Sequence, residues 1–139
     1  MSIIPACLVL VLGFAVLIND IKAATPEETA AMAKLKDACV KQIGLTPEEA
    51  SLISGATEIK SDGKPVSKNL QCYVLCFYKN LGLIDESGKQ KPEVIYKYME
   101  RVFTDKTKIK PALEKCASVK GENACEVVYN FENCIEGLM

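Results

Sequence analysis

Ser67-Lys68-Asn69-Leu70-Gln71-Cys72-Tyr73-Val74-Leu75-Cys76-Phe77-Tyr78-Lys79-Asn80-Leu81-Gly82 decides the fold. At about 100° per residue, Leu70, Tyr73, Val74, Phe77 and Leu81 share one arc, and Lys68, Gln71 and Lys79 share another. The stretch therefore predicts an amphipathic helix from about Ser67 to Leu81, closed by Gly82. Cys72 and Cys76 stand at i and i+4, so their side chains leave one face side by side. That placement suits two bonds to two different partners and not one bond to each other. This helix is then the element to which other parts of the chain are tied.

Working outward, five more helices are expected. Thr25-Pro26-Glu27-Glu28 is a cap with proline at the first helical position, and Met32, Leu35, Cys39 and Ile43 follow at helical spacing. Helix one runs to about Gln42 and Gly44 ends it. Thr46-Pro47-Glu48-Glu49 repeats the signal and opens a short helix through Leu52 and Ile53. Glu58 to Pro65 is polar, with Asp62-Gly63 marking a turn. Asp85 to Lys91 is a second polar loop; it lacks the alternating oxygen ligands and closing Glu of a calcium loop. Pro92 opens helix four, through Phe103; Pro111 opens helix five, to about Val119; helix six covers about Asn123 to Glu136. No stretch shows sustained strand alternation, so the fold class is all-α.

Before these helices, Ile3 to Ile18 carries no charge, and the small pair Ala23-Ala24 follows. The run is short for a membrane span and fits the apolar region of a secretory signal peptide. Residues 1–24 are therefore expected to be a signal peptide and residues 25–139 a secreted helical domain. Its removal takes Cys7 with it and leaves cysteines at 39, 72, 76, 116, 125 and 134. An even number in a small secreted chain reads as a disulfide framework. Zinc is disfavoured because the chain has neither CxxC nor His. Cys125 and Cys134, nine residues apart, face opposite sides of helix six, at about 180°. Excluding that pair and Cys72–Cys76 leaves ten of the 15 possible pairings. Geometry takes the pairing no further.

The composition excludes several functions. With 17 basic and 18 acidic residues the net charge is −1, against a nucleic-acid binder. With no His, a Ser-His-Asp or Cys-His catalytic unit and any imidazole-bound metal are excluded. No cofactor is expected. No unperturbed side chain titrates near pH 6, so affinity for a neutral ligand is expected to change little between pH 7.4 and 5.5. A buried carboxyl with a raised pKa is the exception, with Glu100, Glu114 and Glu132 as candidates.

The spacing Cys39-x32-Cys72-x3-Cys76-x39-Cys116-x8-Cys125-x8-Cys134 resembles that of the insect odorant-binding proteins, the pheromone and general odorant-binding family of six-cysteine type. The x3 and the final x8 are the specific parts. The resemblance implies bridges Cys39–Cys76, Cys72–Cys125 and Cys116–Cys134. It implies six helices around an enclosed apolar cavity. It also implies a secreted carrier that solubilises odorants, pheromones or fatty acids and moves them through aqueous lymph. Its partners would be that small hydrophobic ligand and a membrane chemoreceptor, with the carrier a monomer or weak homodimer.

Given the resemblance, some stripe residues should line the cavity. Helix three offers Leu70, Tyr73, Val74 and Phe77; helix four Tyr96, Met99 and Phe103; helix six Val128, Phe131 and Ile135. Aromatic rings and a thioether give large, adaptable contact with an apolar chain. Arg101, the only arginine, could meet a carboxylate, but its expected face is polar. The residues after Cys134 are too few for the tail helix with which some family members fill the cavity; Ile135–Met139 could at most cover an opening.

Three other readings compete. A saposin-like membrane or lipid-interacting module also has six cysteines and amphipathic helices, but its early CxxC pair is absent here. A cytokine-like helical protein would need a solid core. A non-olfactory lipid carrier would share the cavity and differ only in tissue. An enzyme is not expected, since no nucleophile–base pair is visible.

Overall fold

Side-chain caps place the helices where the sequence punctuates them. The structure is a computed structural model that describes residues 25–139. The expected signal peptide, residues 1–24, lies outside the described residues. Helix α1 spans Pro26–Ile43; Thr25 accepts from the Glu28 amide at 3.1 Å, and Gly44 closes the helix at φ 78°, a left-handed conformation glycine adopts freely. Helix α2 spans Pro47–Ser51 and opens with a full capping box, Thr46 with Glu49. Helix α3 spans Lys68–Asn80; its cap Ser67 also donates to Glu49 Oε2 at 2.6 Å, tying α3 to α2. Helix α4 spans Pro92–Val102, α5 Ile109–Cys116 and α6 Ala124–Leu138. The described chain is thus a six-helix domain, within a residue or two of expectation except at two places.

The first exception is α5. It begins two residues before Pro111, after a 3₁₀ turn at Lys106–Lys108, and ends at Cys116 and not Val119. Proline fits at the third helical position because the amides of the first turn have no intrahelical acceptor to lose. The second is a small hairpin in the expected polar linker. Strands β1 (Ile53–Ser54) and β2 (Glu58–Ile59) pair antiparallel, Ile53 opposite Ile59. Two residues per strand are too few for alternation to show. The hairpin is held from three sides: Lys36 Nζ donates to the Gly55 carbonyl at 3.3 Å, the Tyr73 hydroxyl to the Ala56 carbonyl at 2.6 Å, and the Thr57 hydroxyl to Glu132 Oε1.

Disulfides join α3 to α1 by Cys39–Cys76, α3 to α6 by Cys72–Cys125, and α5 to α6 by Cys116–Cys134. The neighbours Cys72 and Cys76 do go to different partners. The loops closed are 37, 53 and 18 residues long. In the chain-entropy account each bridge stabilises by about 3–4 kcal/mol. Helix α3 has its largest interfaces with α6 and α1. Cys72 meets Cys125 near the start of α6, and Tyr78 meets Glu132 further along. The two helices therefore run in the same general direction. Their early turns form solid core: Leu70, Tyr73, Val74 and Val128 are all but inaccessible to solvent.

Candidate functional site

The later turns of α3 and α6 touch through Tyr78, which meets Phe131 and Glu132, but leave space toward α4. Between them and α4 lies a cavity of about 130 Å³. Helix α3 supplies Phe77 and Tyr78, with Leu81 and Leu83 from the turn beyond. Helix α4 supplies Ile95, Tyr98, Met99 and Val102, followed by Phe103. Helix α6 supplies Phe131, Glu132, Ile135 and Glu136, and the hairpin adds Thr57. Phe77, Met99 and Phe131 are buried. Tyr78 and Phe131 meet edge to face, ring centroids 6.3 Å apart, which fixes both rings in the wall. The volume compares with the ~150 Å³ apolar cavity that binds benzene or xenon. It admits a compact ligand or one end of a longer chain.

Of the residues expected to line a pocket, Phe77, Met99, Phe103, Phe131 and Ile135 come together here. The others do not. Tyr73, Val74 and Val128 stand one turn earlier on the same helices, about 5 Å along the axis, inside the solid core. Leu70 borders a separate surface pocket of about 320 Å³ with Glu49, Leu52 and Lys60, lined mostly by polar and charged side chains. Tyr96 is half-buried against the core, about 100° round α4 from the lining arc. Periodicity identifies a helix's apolar face but not the height at which that face looks into empty space.

The polar end of the cavity was not singled out by the stripes. The Tyr78 and Thr57 hydroxyls donate to the two carboxylate oxygens of Glu132. Burial, then the Glu132 charge, pushes the Tyr78 hydroxyl well above the ordinary tyrosine range; the same two causes raise Tyr98. Glu136 is pushed up to about 8, first by loss of water around its carboxyl, then by Glu132 and Glu58. Glu132 borders the apolar stripe of α6, four residues after Val128, and Glu136 follows four later. That juxtaposition of acids and stripe was the available signal. Arg101 lies on the surface and pairs with Glu28 at 3.2 Å, away from the cavity. Tyr73 spends its hydroxyl on the hairpin; burial, then the Asp37 charge, raises it to about 12. In the polar loop, Asp85 Oδ1 accepts from the Ser87 and Lys89 amides, closing a turn. Among the described residues no group of acidic or cysteine side chains is arranged to hold a metal.

Residues 22–137 match the model of the PBP/GOBP family. The chain belongs to that family. General odorant-binding protein 56a of Drosophila melanogaster is 29% identical over 101 residues, covering 73% of this chain and 68% of the relative. Among solved structures, the fatty acid binding protein OBP56a from the oral disk of the blowfly Phormia regina superposes with a TM-score of 0.68 at 26% identity, over 84% of this chain and 96% of its own. Apis mellifera odorant binding protein 5 shares the fold, with a TM-score of 0.64 at 20% identity over 84% and 93% of the two chains. In this PBP/GOBP member the all-α fold and the cavity are carried by the residues described above. No helix among the described residues is long and apolar enough to cross a membrane.

Proposed function

We propose that this chain is a secreted carrier that takes a small hydrophobic molecule into the cavity between α3, α4 and α6. It keeps the ligand dissolved in an aqueous lymph and delivers it toward a membrane receptor. One observation carries the reading: an apolar, aromatic-lined cavity with a single polar end, in a bundle tied by three disulfides. The relatives' names, for odorants and in one case fatty acids, support that class of ligand. The signal-peptide pattern of residues 1–24 supports secretion. The chemistry asked of the protein is binding and not turnover. Apolar side chains replace water around the ligand, and the bridges hold the walls apart so that the void survives. An unfilled cavity costs about 24 cal/mol per Å³, and the bridges offset that penalty.

The test is displacement of a fluorescent apolar probe, N-phenyl-1-naphthylamine, by 1-octanol. Displacement at micromolar concentration, about −8 kcal/mol, is expected. Failure of the probe to bind, or leakage of anionic liposomes in its place, would overturn the carrier reading in favour of a solid-core or saposin-like protein.

A further inference from the structure

Phe77, Met99, Phe131 and Ile135 make the body of the cavity apolar, and the only charged side chains in its lining are acidic. Lys and Arg are absent from the lining, and the single arginine is paired with Glu28 on the surface. Each oxygen of the Glu132 carboxylate accepts one hydroxyl, from Thr57 and Tyr78. A carboxylate oxygen has two lone pairs, so even with the Glu136 carboxyl bonded to it Glu132 can accept a further donor. Tyr78 donates its proton to Glu132 and keeps its oxygen available as an acceptor.

Resting on the carrier reading, we infer that Glu132, with Glu136 beside it, sets ligand selectivity. The cavity takes aliphatic molecules whose headgroup donates a hydrogen bond, alcohols and protonated amines, and turns away carboxylates. An alcohol can donate to a free lone pair of Glu132 while accepting from solvent at the rim. An alkylammonium gains the charge-assisted form of the same bond. A carboxylate brings no donor and sets its charge against that of Glu132, where the apolar walls screen poorly.

The groups around this end are all acidic or phenolic: Glu136 on α6, Glu58 on β2, Tyr78 on α3 and Tyr98 on α4. The one positive charge felt here is that of Arg101, which acts on Tyr98 from the surface, where it is 69% exposed and already paired with Glu28. Glu136 is pushed up, first by loss of water around its carboxyl and then by Glu132 and Glu58, so further negative charge is disfavoured at this end. An incoming carboxylate would add to that repulsion.

The experiment uses three ligands of equal chain length, 1-octanol, octylamine and octanoic acid, each displacing N-phenyl-1-naphthylamine from the disulfide-bonded protein at pH 7.5. Octanol and octylamine are expected to bind at least about tenfold more tightly than octanoic acid. Glu132→Gln is expected to reduce the alcohol-to-acid ratio at least about fivefold, and Glu122→Gln, exposed and outside the cavity, to leave it unchanged. Should Glu132→Gln fail to fold, Glu136→Gln serves as the second variant, with a smaller reduction of the same sign. Octanoic acid competing as well as octanol against the native protein would overturn the inference while leaving the carrier reading intact. An unchanged ratio in a folded Glu132→Gln protein would overturn it equally. Absence of probe binding altogether would instead remove the carrier reading itself.

Discussion

The early turns of α3 and α6 and the later turns of the same helices carry the same kind of apolar stripe, and only one end is full. At the early end Tyr73, Val74 and Val128 are buried and border neither pocket, and the Cys72–Cys125 bridge crosses there. At the later end Phe77, Tyr78, Phe131 and Ile135 face open space toward α4. The difference lies in what stands opposite. The hairpin reaches both ends: at the solid end Tyr73 donates to the Ala56 carbonyl, while at the hollow end the hairpin offers only the small Thr57, its hydroxyl spent on Glu132. The hollow end meets a short α4, and its bordering acid Glu132 must be given hydroxyl partners. A helix stripe is therefore a statement about burial, and a pocket is a failure of the opposing surface to fill it.

The largest expected effect comes from cutting the bridge at the solid end. Cys72→Ser combined with Cys125→Ser should lower unfolding free energy by about 4 kcal/mol in denaturant melts, the loop being 53 residues long. A loss below about 1 kcal/mol would mean that core packing alone holds α3 to α6.

The same substitution at the two ends sharpens the comparison further. Val74→Ala, in the solid end, should destabilise by about 2 kcal/mol and leave octanol affinity unchanged. Val102→Ala, on the cavity wall, should destabilise by under about 1 kcal/mol, because one side of that side chain already lacks contact partners. It should also weaken octanol binding severalfold. Equal stability losses, or an affinity change at Val74 only, would break the distinction. A smaller effect, about 1 kcal/mol, is expected for Tyr73→Phe, which removes the bond to the Ala56 carbonyl without creating a cavity.

The smallest effect concerns pH. Glu136 rises from 4.5 to about 8 on folding, so the folded state holds its proton more tightly than the unfolded chain. Its contribution is fully present below about pH 4.5 and is lost as pH rises through about 8. The melting temperature should therefore fall gently between pH 5 and pH 8.5, and Glu136→Gln should flatten the slope. The effect is small because the residue is exposed to solvent on one side. A melting temperature rising over that interval would contradict the assignment.

Much of this was legible in the chain. Thr25 and Thr46 read as caps and each does cap a helix, accepting a backbone amide through its side-chain oxygen; Ser67 and Asn123, read as the starts of their helices, stand one residue before them and cap them the same way. The i, i+4 placement of Cys72 and Cys76 required two partners for α3, and α1 and α6 provide them. What escaped has physical reasons. The hairpin at Ile53–Ile59 is too short to alternate, and it is held by distant side chains, Lys36, Tyr73 and Glu132. Leu70, Tyr73, Val74, Tyr96 and Val128 lie on apolar faces but away from the cavity, since hollow and solid stretches of one stripe read alike. The Glu132–Glu136 pair could have been noticed as acids bordering that stripe. Its hydroxyl partners Thr57 and Tyr78, 75 and 54 residues away, could not.

The central claim is that ligand enters the hollow end and not the solid one, and methyl-resolved NMR during a titration with 1-octanol tests it most directly. Shifts should concentrate at the Met99 and Ile135 methyls and at Ile95, saturating at micromolar ligand, with those of Val74 and Val128 nearly still. Saturable shifts led by Val74 and Val128, or no saturable shift at Met99 and Ile135, would contradict it.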